Sequence, residues 1–234
     1  MSTYTTHQST GGRKNQCDAT AVATVDGVRA YALLDGIGDD QAVTDWATTA
    51  AQALATAAAH MQDAEAALRS EYARYAADED RHGAWELTPK ACAVVAVEVP
   101  GQPLTVAWSG DARAYLLQDG TLTRLTRDHN ERRTGGSRHR ITSCLGATAT
   151  DEETQQAAGH NAVEAVTVPA QGARLVLASD GAYEPHEDNG LELTDVLVGT
   201  PAEAAAMVVQ DAVDLAGMFS TRPDNATALV ADLA

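Results

Sequence analysis

Five aspartates in this 234-residue chain stand where a carboxylate can leave an apolar run and meet others. Asp18 precedes the apolar stretch beginning at Ala19, and Asp35 closes YALLD and is followed by Gly36 and Gly38. Asp111 lies in SGDAR between two apolar runs, Asp180 follows RLVLAS, and Asp224 opens DNAT. A carboxylate placed after four or five apolar residues is costly near a core unless a cation or a hydrogen-bond donor neutralises it. Neighbouring glycine lets the backbone come close, so a carbonyl such as that of Gly36 can join the carboxylates as a ligand. Carboxylate, carbonyl and water oxygens together select hard cations such as Mg2+, Mn2+ or Ca2+. Taken singly, each aspartate reads better as a turn residue, as Asp26-Gly27 and Asp119-Gly120 do. Only their order along the chain carries weight.

The chain sets 33 acidic against 16 basic residues, a formal net charge of −17. That surplus opposes general binding to nucleic acid or to anionic membranes, both of which need attraction to phosphate. It is compatible with cation binding, although solubility alone accounts for most surface acids. Hydrophobic residues make up 44% and aromatic residues 4%, so the core must be built from Ala, Val and Leu, which suits closely approaching layers. The length fits one domain, 1–234. Cys17, Cys92 and Cys144 are far apart and show no CxxC spacing, which is neither a disulfide framework nor a zinc site and favours a reducing compartment. No apolar run reaches the length of a membrane span, and the N-terminus lacks an apolar signal region. The expectation is a cytoplasmic, monomeric protein.

The elements that must position the aspartates read as follows. Residues 19–36 are two short strands around Asp26-Gly27. Residues 41–77, Ala-rich and free of Gly and Pro, form one long helix or two consecutive ones. Residues 90–99, 104–110, 112–118 and 121–126 read as an antiparallel meander with turns at PGQP, GDA and DG. Residues 161–168 and 173–181 are further strands, 201–217 a helix ended by Gly217, and 225–233 a closing strand. This order does not alternate as βαβ units would and predicts an α+β layered fold with antiparallel sheets.

The ordered set is specific. The GxRxxxxD run from Gly11 to Asp18, LLDGIGD (33–39), SGDARAYLL (109–117), ITSCLG (141–146), LVLASDG (175–181) and PDNATALV (223–230) resembles the successive signatures of the PPM/PP2C metallophosphatases, over nearly the whole chain. The resemblance implies two stacked antiparallel β-sheets flanked by pairs of helices, a four-layer sandwich with metals in a cleft at one end. It further implies Mg2+- or Mn2+-dependent hydrolysis of phosphoserine and phosphothreonine in protein substrates. By motif, Asp35 bridges two ions, the Gly36 carbonyl binds one of them, and Asp180 and Asp224 complete the second ion's shell with Asp18 beside them. Asp111 matches the ligand of a weaker third ion, and Arg13 the arginine that takes the substrate phosphate. Paired ions lower the pKa of a shared water and clamp phosphoryl oxygens for in-line attack, while the planar guanidinium suits a phosphate dianion.

Departures from the pattern are local. Gln16-Cys17 alter the neighbours of Asp18, with Cys17 read as a small packing residue rather than a redox switch. Ile37 stands where some members carry a histidine proposed as general acid, leaving water to protonate the leaving oxygen. Asp39 adds a carboxylate expected near the metals. The helical flap of the family is replaced by HNERRTGGSRHR (129–140). Arg124, Arg127, Arg132, Arg133, Arg138 and Arg140 there form either a basic lip that attracts phosphopeptides or a solvated loop that offsets nearby acids. His129 is expected to be structural, and no histidine, His60 and His82 included, is expected to bind metal. Two rival readings are a catalytically weak phosphoprotein-binding regulatory module and a metallophosphatase of small phosphate esters.

Overall fold

A computed structural model describes residues 2–82, 88–218 and 222–234. In chain order the strands are β1 (Thr3–Ser9), β2 (Ala19–Val25), β3 (Val28–Gly36), β4 (Ala91–Glu98), β5 (Leu104–Ser109), β6 (Arg113–Gln118), β7 (Thr121–Arg124), β8 (Glu164–Val168), β9 (Arg174–Ala178) and β10 (Ala226–Asp232). The helices are α1 (Gln41–Met61), α2 (Ala64–Ala76), α3 (Asp151–Ala158), α4 (Asp180–Asp188) and α5 (Pro201–Met218). The strands form two antiparallel five-stranded sheets, ordered β2-β3-β4-β5-β8 and β1-β10-β9-β6-β7. The α+β sandwich expected from the sequence is present.

Strand alternation sorts the apolar residues into three layers of core. Tyr31, Leu33, Val94 and Val106 of one sheet meet Leu116, Leu175, Leu177 and Leu229 of the other in the central layer. On the opposite faces of the same strands, Leu34, Ala93 and Val95 pack under Ala47, Leu54 and Ala58 of α1. Val176, Ala228 and Val230 pack under Val208 and Val209 of α5. Burial on both faces is why these strands read as continuous apolar runs. Alanine dominates the helix-facing layer, so α1 sits close to its sheet.

The β2–β3 hairpin turns at Asp26-Gly27, with φ of 49° and 83°, the paired positive values of a tight type I′ connection. Residues 41–77 resolve into two helices. Gln62 ends α1 in the left-handed region, and Asp63 caps α2 by accepting from the Ala66 N–H.

Other elements differ from expectation. Residues 104–118 are not part of one meander: β5 pairs with β4 and β8, β6 pairs with β7 and β9, and the Gly110–Ala112 corner carries the chain from one sheet to the other. Gly110 makes the corner possible, with φ +119° and no room for a side chain against Cys92. Strand β1 was not expected, since its polar, mostly solvent-facing residues hide an edge strand paired with β10. Residues 161–163 are not strand; the Ala162 carbonyl accepts from Ser143 and its N–H donates to Asp151. Helix α3 is opened by a Thr150–Glu153 capping box. Strand β9 stops at Ala178, and the DG after it opens α4 rather than a turn. Helix α5 runs through Gly217 to Met218.

One buried ion pair ties the second sheet to α4. The fully buried Arg113 donates to both carboxylate oxygens of Asp128 at 2.8 and 2.7 Å and to Glu187 at 2.6 Å. Its guanidinium lies 3.7 Å from the Tyr183 ring centre. Arg113→Ala leaves Asp128 buried without its partner and is expected to cost about 3–5 kcal/mol. The denaturant midpoint should fall accordingly, and the double change Arg113→Met/Asp128→Leu should recover much of that loss.

Candidate active site

The two sheets end together at one edge of the sandwich, and five aspartates arrive there from five elements. Asp18 leads into β2, Asp35 lies one residue before the end of β3, and Asp111 sits on the corner between sheets. Asp180 is the first residue of α4, and Asp224 stands just before β10.

Each is held by an identifiable contact. Asp18 is buried and accepts from the Ser179 hydroxyl at 2.9 Å. Ser179 in turn accepts from the Thr227 N–H at 2.9 Å, which locks Asp18 to β10. The Asp35 carboxylate lies 3.4 Å from the Asp180 N–H at the positive end of α4. Asp111 is buried, accepts from the Asn130 side chain at 3.3 Å, and takes the Tyr183 hydroxyl on its carbonyl at 2.9 Å. Asp224 pairs with Arg13. Gly36 has no space for a side chain, because a Cβ would overlap the Cys17 carbonyl and Val43; its absence lets the β3 end pass close to Cys17.

Electrostatics confirm that these carboxyl groups are neighbours. Asp35 titrates well above the ordinary aspartate range, through burial first and then through repulsion from Asp180, Asp18, Asp111 and Asp224. Asp180 is raised in the same way, by burial and then by Asp111, Glu184, Asp224 and Asp18. Burial pushes Asp18 up to about 6, and it raises Asp111. Glu184, one turn along α4, is pushed up to about 7, chiefly by burial.

Arg13 is drawn beside Asp224, whose hydrogen bond raises the guanidinium pKa further. Asp39 clamps the Arg13 loop: its carboxylate accepts from the Lys14 and Asn15 N–H groups, both at 2.9 Å. Asn225 is a residue the sequence reading left unassigned. Its side chain accepts from the Cys17 N–H at 2.8 Å and donates to the Thr10 and Asn15 carbonyls, each at 3.0 Å. Ser179, Asn130 and Glu184 were also missed; Ser179 lies in the LVLASDG segment and the other two outside the signature segments, and the partner of each is distant in sequence.

The arginine-rich segment is largely neutralised. Arg133 pairs with Glu164 at 2.6 Å, Arg138 with Asp188 at 2.6 Å and Glu184 at 3.2 Å, and Arg140 with Glu131 at 3.2 Å. Arg132 lies 3.5 Å from Glu187. Offsetting acids, rather than a free basic lip, is what these contacts favour. His129 is buried, stacked on His160 at 4.2 Å between ring centres, and burial holds it neutral with a pKa of about 4. Cys17 is buried and its thiol pKa is raised by burial, as fits packing.

The donor set suits a hard divalent cation: oxygen ligands only, gathered and short of cationic partners. Among the described residues no group of three or more His, Cys, Asp or Glu side chains is placed so that it could hold a metal ion as it stands. The carboxylates of Asp18, Asp111 and Asp224 instead turn toward Ser179, Asn130 and Arg13, which relieves their mutual repulsion. The chemistry of the donors fits a metal site.

Comparison with known proteins bears on this arrangement. The family model described as protein phosphatase 2C matches residues 5–149. The serine/threonine protein phosphatase PstP of Mycobacterium tuberculosis is 29% identical over 221 residues, covering 88% of this chain. The chain spans 41% of the length of that relative. The crystal structure of the M. tuberculosis serine/threonine phosphatase PstP/Ppp aligns with a TM-score of 0.72 at 26% identity, covering 99% of this chain and 98% of that one. The catalytic domain of PstP in complex with two manganese ions aligns with a TM-score of 0.70 at 26% identity, covering 99% and 97%.

Crowded acids cost stability, and removing one should help the metal-free fold. Asp180→Asn is expected to raise the melting temperature in chelator by about 2–4 °C and to shrink the upward shift that Mn2+ gives the unmodified protein. Because Asp18 and Glu184 bind protons more tightly folded than unfolded, their contribution is favourable at acid pH and is lost as pH rises from about 4 to 7. A melting series in chelator across that range checks the sign.

Proposed function

The chain belongs to the protein phosphatase 2C family, and from that premise we propose that it is an Mg2+- or Mn2+-dependent phosphatase that hydrolyses phosphoserine and phosphothreonine in proteins. The observation that carries the reading is the meeting of Asp18, Asp35, Asp111, Asp180 and Asp224 at one end of the sandwich, beside Arg13. In this reading Asp35 and the Gly36 carbonyl, with Asp180, Asp224 and Asp18, would hold two ions, and Asp111 a third.

When bound, the divalent ions supply Lewis-acid activation of water and neutralise phosphoryl charge. The rest falls to the chain. Arg13, about one-third exposed at the cleft, offers two parallel donors to the phosphoryl oxygens and orients the group. Its loop is preset for this by the Asp39 and Asn225 clamps. Asn130 and Tyr183 fix Asp111, and Ser179 fixes Asp18. Ile37, exposed next to Gly36, has no proton to give, so the leaving serine or threonine oxygen takes its proton from solvent. Single-domain, monomeric organisation over 1–234 and a cytoplasmic site of action complete the proposal; the three buried cysteines are unpaired thiols, and no described helix is long and apolar enough to cross a membrane.

Turnover of p-nitrophenyl phosphate and of phosphothreonine peptides should require Mn2+ or Mg2+ and cease in chelator. Asp35→Asn is expected to lower kcat by at least about a hundredfold. Arg13→Ala should act mainly by raising KM, by about tenfold. Metal-independent turnover, or full activity in Asp35→Asn, would refute the assignment; turnover of small esters alone would favour a phosphatase of small substrates.

A further inference from the structure

A groove of about 510 Å3 opens beside the carboxylate cluster. Ile37, Ile141, Ala147 and Ala149 line it, together with Thr148 and Lys90. It is joined to the candidate active site at two points. Ile37 directly follows Gly36, and its N–H donates to the Lys90 carbonyl at 2.9 Å, fixing it at the groove wall. Ile141 bridges to Asn130, whose side chain donates to Asp111.

Ile37 is 45% exposed, a large apolar side chain facing solvent on a loop otherwise made of Asp and Gly. Exposed apolar surface in a concave site next to the chemistry is how a binding pocket reads. We propose that this groove takes an apolar side chain adjacent to the phosphorylated residue, so that the preferred substrates are phosphopeptides carrying a hydrophobic residue beside phosphoserine or phosphothreonine. This rests on the phosphatase reading and deepens it by naming the substrate class. The occupant is a peptide rather than a second copy of the chain, because Ile37 directly follows Gly36 and Ile141 bridges to Asn130, the hydrogen-bond donor to Asp111. Its volume suits one side chain with its flanking backbone, and its walls offer apolar atoms between the hydroxyl of Thr148 and the backbone of Lys90.

The test uses phosphothreonine peptides with Leu, Ala, Asp or Lys on either side of the phosphoresidue, and p-nitrophenyl phosphate as a substrate too small to reach the groove. The unmodified protein with Mn2+ is expected to prefer Leu over Asp at one flank by about tenfold in kcat/KM. Ile37→Gln should flatten that preference, and Thr148→Lys should shift it toward Asp, with p-nitrophenyl phosphate turnover unchanged within about twofold in both. A flat peptide profile in a protein that turns over p-nitrophenyl phosphate overturns the groove alone, as does a Leu preference that survives both substitutions. No turnover of any substrate overturns the phosphatase reading and the groove with it.

Discussion

Like charges drawn out of water repel one another, and the sandwich holds five carboxylates against that repulsion, Asp18 and Asp111 buried and Asp35, Asp180 and Asp224 half-buried. Asp18 and Asp35 come from the first sheet, Asp111 from the corner between sheets, and Asp180 and Asp224 from the second sheet and its helix. None could gather them alone. An enclosed, unpaired carboxylate costs several kcal/mol, so the layers beneath must be well packed. Leu33, Leu175, Leu177 and Leu229 are all fully buried between the sheets. Local devices reduce the cost further: the N-terminus of α4 faces Asp35, Ser179 donates to Asp18, and Asn130 donates to Asp111. Close approach matters as well, since a Cβ at Gly181 would overlap the Asn225 carbonyl and push α4 away from β10.

The same constraint organises the surroundings. Arg113, buried against Asp128 and Tyr183, holds the helix that carries Asp180 and Glu184. Arg132 and Arg138 reach Glu184 and its neighbours from the short segment that replaces a flap. These arginines balance acids rather than advertise positive charge.

Much of this was legible in the chain and some was not. The aspartates at the ends of apolar runs stood out because burial of a carboxylate is costly enough to leave a pattern, and the fold brings them within electrostatic reach of one another. Paired glycine turns and the alanine-rich helices were equally plain, and the α1–α2 break was one of two readings left open. The crossing at Gly110–Ala112 was hidden, since a corner between sheets and a hairpin turn use the same residues. Helix α4 was hidden because Asp-Gly signals a turn and Pro185 argues against a helix; packing of Ala182 and Tyr183 into the second core layer outweighs both. Strand β1 lacked a periodic pattern because neither of its faces is fully buried. The contacts of Asp39 were not legible, because proximity in sequence to Asp35 said nothing of the Lys14 and Asn15 amides that it meets.

If the carboxylates share one enclosed site, several remain protonated at mildly acid pH until a cation replaces the protons. Titrating Mn2+ into the metal-free protein near pH 6, by calorimetry in buffers of different ionisation enthalpy, counts the protons displaced. Release of protons as the ions bind is the expected result, given Asp18 pushed up to about 6 and Asp35 and Asp180 raised well above the ordinary aspartate range by burial and by their acidic neighbours. Binding with no proton release, or no binding at all, would contradict a shared carboxylate centre.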